Sequence, residues 1–547
     1  MRVSACASGS RWRPHRRRRT AGARPARDAA GRRPAPRPDR RQSTELSIRE
    51  PPAARRRLRA PADPAPPGAE HRPGRRRDRA DRGSGTLGIR PWNCVKGFRP
   101  LPPEPFMDLI ALRRPLVSAL VVSGLSLLSG AAHAGFLYGR ITPAAGIEPN
   151  GESKNVSLSS NGRTVVFSSD ASNWGGNPYN GNRAVAVDLM TGVIDIVSSM
   201  PDGTVFRGEA PAVSGDGRYV AFLTFGIANI GPSWQVARKD RLTGGLEAAS
   251  TNAAGQPADG GTNDDTVSIS ADGRYIAVET AATNFGLPTG NGREIFVKDM
   301  VTGQIKLASA KADGSPSGGH CELRPHALSD DGRYIAMYCN TEMLPGAGTV
   351  QIYVRDLQTN TTELISRVGA NGPGSTAFPN RYAISPSGRF VSFQAPGYGG
   401  LGYADGANIN SNSGIYLRDR QTQTTIAIPR PPLVAASNYD SCNVSAISSI
   451  GSIIMACPLP NGAFSYSQVF LFVPGAGAPE LISTGTGSAP GNQPSGYTMA
   501  VNGSGLSMVF ESNATDIDPT DGNGKTDVFI LAHHSVLIDE IFANGFE

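Results

Sequence analysis

From Val156 onward, apolar and polar positions alternate in short runs broken by tight turns, and one such pattern recurs along the chain. The phrase VSLSSNGRTVVF from Val156 returns as VSGDGRYVAF from Val213, VSISADGRYIAV from Val267, ALSDDGRYIAM from Ala327 and AISPSGRFVSF from Ala383. Two weaker copies follow, SAISSIGSIIMA from Ser445 and AVNGSGLSMVF from Ala500. Period-two alternation on both sides of an Asn-Gly or Asp-Gly turn predicts a β-hairpin, with the glycine supplying the positive φ of the turn. The turn glycines are Gly162, Gly217, Gly273, Gly332, Gly388, Gly451 and Gly505, spaced 55, 56, 59, 56, 63 and 54 residues apart. A fixed period of this size marks a repeat architecture.

Each unit carries a second hairpin. Its third strand reads AVAVD to Asp188, WQVARKD to Asp240, EIFVKD to Asp299, QIYVRD to Asp356 and GIYLRD to Asp419, then VFLFVP and DVFILA in the last two units. The Asp opens a turn such as Asp299 to Gly303, where its carboxylate accepts backbone N–H groups. In the last two units Pro474 and Ala532 are expected in its place. A fourth strand follows, as in IKLAS, TELIS and PELIS. Four antiparallel strands repeated seven times predict an all-β fold, a seven-bladed β-propeller. GFLYGRITPAAGIEPNG from Gly135 aligns with a fourth strand and its exit loop, so this strand is expected to complete blade seven beside DVFILA. Pairing of the N- and C-terminal strands then closes the ring and removes exposed edges.

These phrases resemble the TolB-like propeller repeats, whose units read S-x-DGRY-(V/I)-A-F followed by a (V/I)F-(V/L)-x-D-x-x-T-G hairpin. The resemblance covers about 155–540, with five specific copies and two degenerate ones. It implies a ring with a central channel and a protein-binding or surface-binding role, without one shared reaction, because fold does not fix function.

Composition agrees: 65 Gly and 43 Pro with 18% charged residues suit short strands joined by turns. The net charge of +8 hides two opposite segments. Residues 1–106 hold 28 Lys and Arg against 9 Asp and Glu, whereas residues 135–547 hold 24 against 36, a net of −12. The basic stretch is an Arg/Pro-rich tract that cannot bury enough apolar surface to fold. The acidic body would repel nucleic acid, so no nucleic-acid partner is expected.

At Met107 begins MDLIALRRPLVSALVVSGLSLLSGAAHA, with Arg113 and Arg114 before an apolar run and an Ala-x-Ala site ending at Ala134. This is the layout of a secretory signal over 107–134. It predicts translation from Met107, a start-site artefact over 1–106, and a mature periplasmic or secreted chain with no membrane span. The alternative is a genuine disordered arm followed by an internal anchor. The propeller is assigned 135–538 and a tail 539–547, and a monomer is expected. The tail, IDEIFANGFE from Ile538, resembles short endings of exported Gram-negative proteins, which implies sorting or docking. A frayed terminus is the alternative. Cys321, Cys339, Cys442 and Cys457 flank two of the turns in pairs, so disulfides Cys321–Cys339 and Cys442–Cys457 are expected, with four buried free thiols as the alternative.

Chemistry is sparse. The body has His320, His326, His533 and His534, read as ordinary surface or strand histidines, and no G-x-S-x-G elbow. No catalytic residue is assigned. Asp516, Asp518, Asp521, Asn523 and Asp527 pack oxygen ligands into a glycine-bearing loop, which makes calcium the one cofactor to consider; a plain polar loop is the alternative. The longest loop, near 397–412, carries Tyr398 and Tyr403 as contact candidates. The expected function is a binding or scaffold module for protein or cell-envelope glycan through the propeller-face loops. The rival is a propeller lyase or hydrolase acting on polysaccharide or peptide at the channel, which a cluster of His, Asp, Glu or Arg at one channel mouth would favour, whereas a channel lined by Ser, Gly and aliphatic residues would favour binding.

Overall fold

The computed structural model describes residues 125–127 and 136–533, except 177, 228–229, 291, 368, 370–371, 373, 380, 397–412, 436–437, 439–440 and 462–463. Of 125–127, 136–137, 263–265, 461, 464 and 533 it describes the backbone alone.

Seven antiparallel sheets form the ring. The inner strands of blades 1 to 7 are Ser153–Leu158, Glu209–Val213, Thr262–Ile269, Cys321–Glu322, Tyr382–Ile384, Asn443–Ile447 and Ser495–Val501. Each is followed outward by two further strands and an outer one. Blade 7 takes its outer strand from the other end of the chain. Phe136–Ile141 pairs with Asp527–His533 in the register Phe136↔His533 to Arg140↔Phe529, as the alignment of Gly135 predicts. Leu125–Leu127 adds a fifth strand along Gly139–Ile141.

Burial explains why the units need one another. The apolar residues gather into seven clusters, each between neighbouring blades: Val166, Ala186, Val220 and Phe222 join blades 1 and 2, and Ile141, Val165, Val509 and Ile530 join blades 7 and 1. A blade buries each of its faces only against a neighbour, so a single unit lacks a core.

The recurring phrase is explained by the turn. In blade 3, Ser270 Oγ donates to Asp272 Oδ1 at 2.6 Å and accepts the Tyr275 N–H at 2.9 Å, while Asp272 accepts the Arg274 N–H at 3.0 Å. Arg274 then forks onto Asp299 at 2.9 and 2.7 Å. The same pair recurs as Arg163–Asp188, Arg218–Asp240, Arg333–Asp356 and Arg389–Asp419. The Arg274 contact holds the Asp299 carboxyl well below the usual range. The turn glycine is fixed by two constraints: Gly332 has φ +67°, and a Cβ built there overlaps the Tyr275 ring of the preceding blade.

Blade 6 corrects one expectation. Its turn is a residue shorter, with Ser452 N–H bonded to Ser448 Oγ across four residues where Tyr334 bonds Ser329 Oγ across five. Ile453 therefore pairs with Phe472 as Ile335 pairs with Arg355, and Val473 rather than Pro474 falls at the lost Asp position. In blade 7 Ala532 stands opposite Ser507, as expected.

Both disulfides form, Cys321–Cys339 and Cys442–Cys457. They occupy one equivalent place, the first cross-strand pair of the inner hairpin. Ser153↔Ser169, Thr262↔Thr280 and Ser495↔Ser512 fill it in blades 1, 3 and 7, with serine hydroxyls bonded at 3.1 and 2.7 Å. The loops closed span 18 and 15 residues. Replacing either cysteine pair by alanine is expected to lower stability by ~3 kcal/mol in guanidinium unfolding, since loops of this size set the unfolded-state entropy removed. A loss well under ~1 kcal/mol for both pairs would mean that the inner hairpins are held by packing alone.

Candidate functional site

At the turns between inner and second strands, backbone groups link blade to blade: Asn161 N–H to Gly215 O (3.1 Å), Gly215 to Ala271 (2.9 Å), Ala271 to Asp330 (2.9 Å) and Asp330 to Pro386 (2.8 Å). Ser449 N–H to Gly503 O and Gly503 N–H to Ser160 O, both 2.9 Å, continue the belt. No such link from blade 5 to blade 6 is found among the described residues, where Pro386 stands at the position that donates in blades 2, 3, 4, 6 and 7. Inside the belt, Ser160 Oγ donates to Asp330 Oδ1 at 2.9 Å, joining blades 1 and 4 across the axis. Gly215 has no spare room either, since a Cβ there would lie 2.7 Å from Ala271 Cβ. The opposite face is where the inner strands begin.

At that face the inner strands leave regular pairing. Register shifts interrupt them in blades 1, 2, 3, 6 and 7, and Asn155 (φ 57°) and Ala210 (φ 45°) take left-handed backbone. Bulges of this kind re-aim side chains and concentrate near binding sites. The freed N–H groups are taken by the preceding blade: Ala210 N–H donates to Ser168 Oγ (3.1 Å) and Val156 N–H to Glu511 Oε1 (3.3 Å).

Blade 4 departs furthest. Only Cys321↔Cys339 and Glu322↔Tyr338 pair regularly, and contact resumes at Leu328↔Ile335. Between these points alternate residues face opposite ways. Cys321, Leu323 and Ala327 are buried between blades, while His320, Glu322, Arg324 and His326 are only partly buried. Glu279 of blade 3 joins them: its Oε2 accepts the Leu323 N–H at 2.9 Å. His320 Nε2 lies 3.6 Å from Glu322 Oε1 and 3.9 Å from Glu279 Oε1. Tyr382 of blade 5 donates to Glu322 O at 2.7 Å. Burial and then the proximity of Glu279 push the Glu322 carboxyl above its ordinary pKa, against the pull of His320 and Arg324.

His326 has φ 58°, and its Nε2 is sealed from solvent with no hydrogen-bond partner among the described residues. Enclosure lowers its pKa to about 4, so the ring is neutral near pH 7. Of the two histidines read as ordinary surface or strand residues, His320 keeps a partly exposed side chain and His326 is enclosed. The signal was present in the sequence as H-C-E-L-R-P-H, with ionisable residues on every second position from His320.

The acidic loop of blade 7 forms a different site. Asp518, Asp521 and Asp527 converge, but on Arg140 of the outer strand, whose Nε lies 2.9 Å from Asp518 and whose Nη1 lies 3.2 Å from Asp521 and 3.1 Å from Asp527. Glu148 adds a fourth carboxylate at 3.0 Å, and Asn523 donates to Asp527 at 3.1 Å. Asp516 lies apart, bonded to the Asn492 N–H at 2.9 Å. Arg140 is 2% exposed and Asp518 and Asp527 are fully buried, so this is a charged seam where the chain ends meet. Among the described residues, no group of three or more His, Cys, Asp or Glu side chains is placed to hold a metal ion. If the guanidinium stands in for the calcium expected at Asp516 to Asp527, EDTA should leave Tm unchanged to within about 1 °C. A larger calcium-dependent rise would restore the ion.

Tyr398, Tyr403, His534, the segment 1–106, most of 107–134 and the tail lie outside the described residues. No helix among the described residues is long and apolar enough to cross a membrane. A groove of about 350 Å³ between blades 3 and 4 opens on the closed face, lined by Arg274, Asp299, Lys306 and Arg333, whose charged groups are already bonded within the protein.

No family model matches the chain, and no curated protein matches it in sequence. Among solved structures, the chain is similar to an oligogalacturonate lyase from Vibrio parahaemolyticus (11% identity, 75% of this chain and 97% of that one, TM-score 0.46). It is also similar to the β-propeller domain of the Trilobed protease from Pyrococcus furiosus (12% identity, 66% and 89%, TM-score 0.40). TolB from Acinetobacter baumannii aligns at 15% identity over 53% of this chain and 57% of its own, with TM-score 0.32. The neighbours are propeller proteins of differing activities.

Proposed function

We propose that the chain is an exported binding module that takes a polar protein segment or cell-envelope glycan into its channel from the loop face. The observation that carries this reading is on the blade 4 inner strand, which the reading makes the channel wall: His320, Glu322, Arg324 and His326 stay partly accessible at alternate positions. Ionisable groups held on strained, irregular backbone inside a concavity are typical of sites selected for recognition rather than stability. Two disulfides fit an oxidising compartment, periplasmic or extracellular.

The test is retention of envelope polysaccharide and periplasmic protein fractions by the mature protein, its His320→Ala/Glu322→Ala/Arg324→Ala variant, and Arg274→Ala on the closed face. The wall variant is expected to lose retention at least ~10-fold, with Arg274→Ala unchanged. Loss in Arg274→Ala alone would move the site to the closed face.

One observation favours a second reading. A histidine within 4 Å of two carboxylates from adjacent blades is an arrangement suited to general acid–base work on a glycan or peptide. New reducing ends or new amines, formed over time by the wild type and abolished by His320→Ala, would establish an enzyme; unchanged substrate after prolonged incubation would leave the binding role.

A further inference from the structure

We infer that the outer edge of Phe136–Ile141 in the mature protein docks an extended segment of a partner protein, added to blade 7 as a fifth strand. The inference rests on the reading of 107–134 as a signal that is removed.

An outer strand leaves one row of backbone N–H and C=O groups open to further pairing, and natural proteins keep such edges short or charged. Six blades follow that rule. Their outer strands are Ile194–Ile196, Leu246–Ala248, Ile305–Leu307, Thr361–Leu364, Thr424–Ala427 and Glu480–Leu481, none longer than four residues. Asp195, Glu247, Lys306, Glu363 and Glu480 give five of them a charge that solvent reaches. Blade 7 departs on both counts. Phe136–Ile141 is six residues long, and its one charge, on Arg140, is 2% exposed and bonded to the carboxylates of the seam. Gly139 brings no side chain to screen the backbone.

In the full chain this edge is occupied. Leu125–Leu127 pairs antiparallel with it in the register Leu125↔Ile141, Ser126↔Arg140 and Leu127↔Gly139. Among the described residues, no other blade carries a fifth strand. The seated strand defines what fits: an uncharged, extended segment, antiparallel to Phe136–Ile141, with apolar residues at alternate positions. Cleavage after Ala134 removes it and opens the edge at Gly139–Ile141. The ladder from Phe136↔His533 to Arg140↔Phe529 still holds the strand in the ring. A second copy of the chain fits less well. Antiparallel pairing of Gly139–Ile141 with itself sets Arg140 against Arg140 and brings together two seams, each with four carboxylates around one guanidinium.

The experiment is a fluorescence anisotropy titration of the disulfide-intact mature chain, from Gly135, with a labelled peptide carrying Ser123–Ser129 between lysines, followed by hydrogen exchange of the complex. The peptide is expected to bind saturably and to slow exchange at least ~10-fold within Phe136–Ile141, with Leu246–Ala248 of blade 2 unchanged. Two N-methylated peptides, one modified at Ser126 and one at Leu125 and Leu127, separate backbone pairing from apolar adhesion, because alternate amides of a strand point to opposite edges. One is expected to lose affinity at least ~10-fold and the other to keep it. Equal loss, equal retention, protection elsewhere in the ring or no saturable binding overturns the docking edge. Self-association that protects Phe136–Ile141 without peptide overturns the partner segment in favour of a second copy. The mass of the exported protein separates the two readings. A chain beginning at Gly135 that binds no peptide sinks the docking edge alone, whereas one that keeps Leu125–Leu127 overturns the signal reading and, by covering the edge, the docking site with it.

Discussion

Arg140→Ala will destabilise the ring by ~3–5 kcal/mol at neutral pH, more than loss of either disulfide, because it leaves buried carboxylates without their countercharge. Asp518, Asp521, Asp527 and Glu148 surround that one guanidinium within 3.2 Å. Burial, then the charge of Asp521, drives the Asp527 carboxyl up to about 7 from its ordinary 3.8, with Arg140 pulling the other way. The folded state therefore holds this proton more tightly than the unfolded chain. The stabilisation is complete below about pH 4 and is lost as pH rises through about 7, a swing of ~4 kcal/mol for a shift of this size. Urea midpoints should thus fall for the wild type between about pH 5 and about pH 8, and the Arg140→Ala defect should shrink at the acid end. Asp527→Asn removes one titrating charge while keeping polar contact with Arg140, and should be more stable than wild type at the alkaline end. A variant less stable than wild type throughout would show that the carboxylate is needed charged.

Gly332→Ala is the second large effect, expected at ~3 kcal/mol or more in the same assay. Two costs coincide at this turn: φ is +67°, and the added methyl overlaps the Tyr275 ring of the preceding blade. Gly303 separates them, because its φ is +74° and nothing lies within 4 Å of its Cβ position. Gly303→Ala should cost only ~1 kcal/mol, the conformational part alone. Adding Tyr275→Ala to Gly332→Ala should recover part of the loss as coupling between the two positions. Equal costs at Gly332 and Gly303 would remove the steric argument and leave turn conformation as the whole reason for the repeated phrase.

Those two sites show what sequence makes readable. The turn is local: Ser270, Asp272, Gly273 and Arg274 act on one another within five residues, and Asp299 is reached through one hairpin, so the phrase announces its own geometry. The disulfides were legible for the same reason, since each closes one hairpin. The seam was legible as strand pairing but not as chemistry. Its acids read as a cation loop because the countercharge, Arg140, lies 387 residues from Asp527 and arrives only when the ring closes. The bond between Ser160 and Asp330 likewise depends on two turns 170 residues apart. The blade 4 wall was in view as alternation from His320, yet the repeat phrase draws attention to Ala327, past the bulge that carries it. Blade 6 misled by a single deleted residue, which moved Val473 into the place read as Pro474.

The hydrogen-bonded belt has a topology distinct from that of the chain. Its links run one way around the axis, each blade giving an amide proton to the next, and the sequence of gifts stops at Pro386. Covalently the ring begins and ends in blade 7, where strands from both termini interlock. Mechanically it begins and ends between blades 5 and 6, where no such proton is passed. A circular permutant with new termini at that junction, and the old ones joined, would keep every belt link intact, whereas a cut in any linked turn would sever one. The molecule thus has two seams, one sewn by strand exchange in blade 7 and one left open by an imino acid, on opposite sides of blade 6.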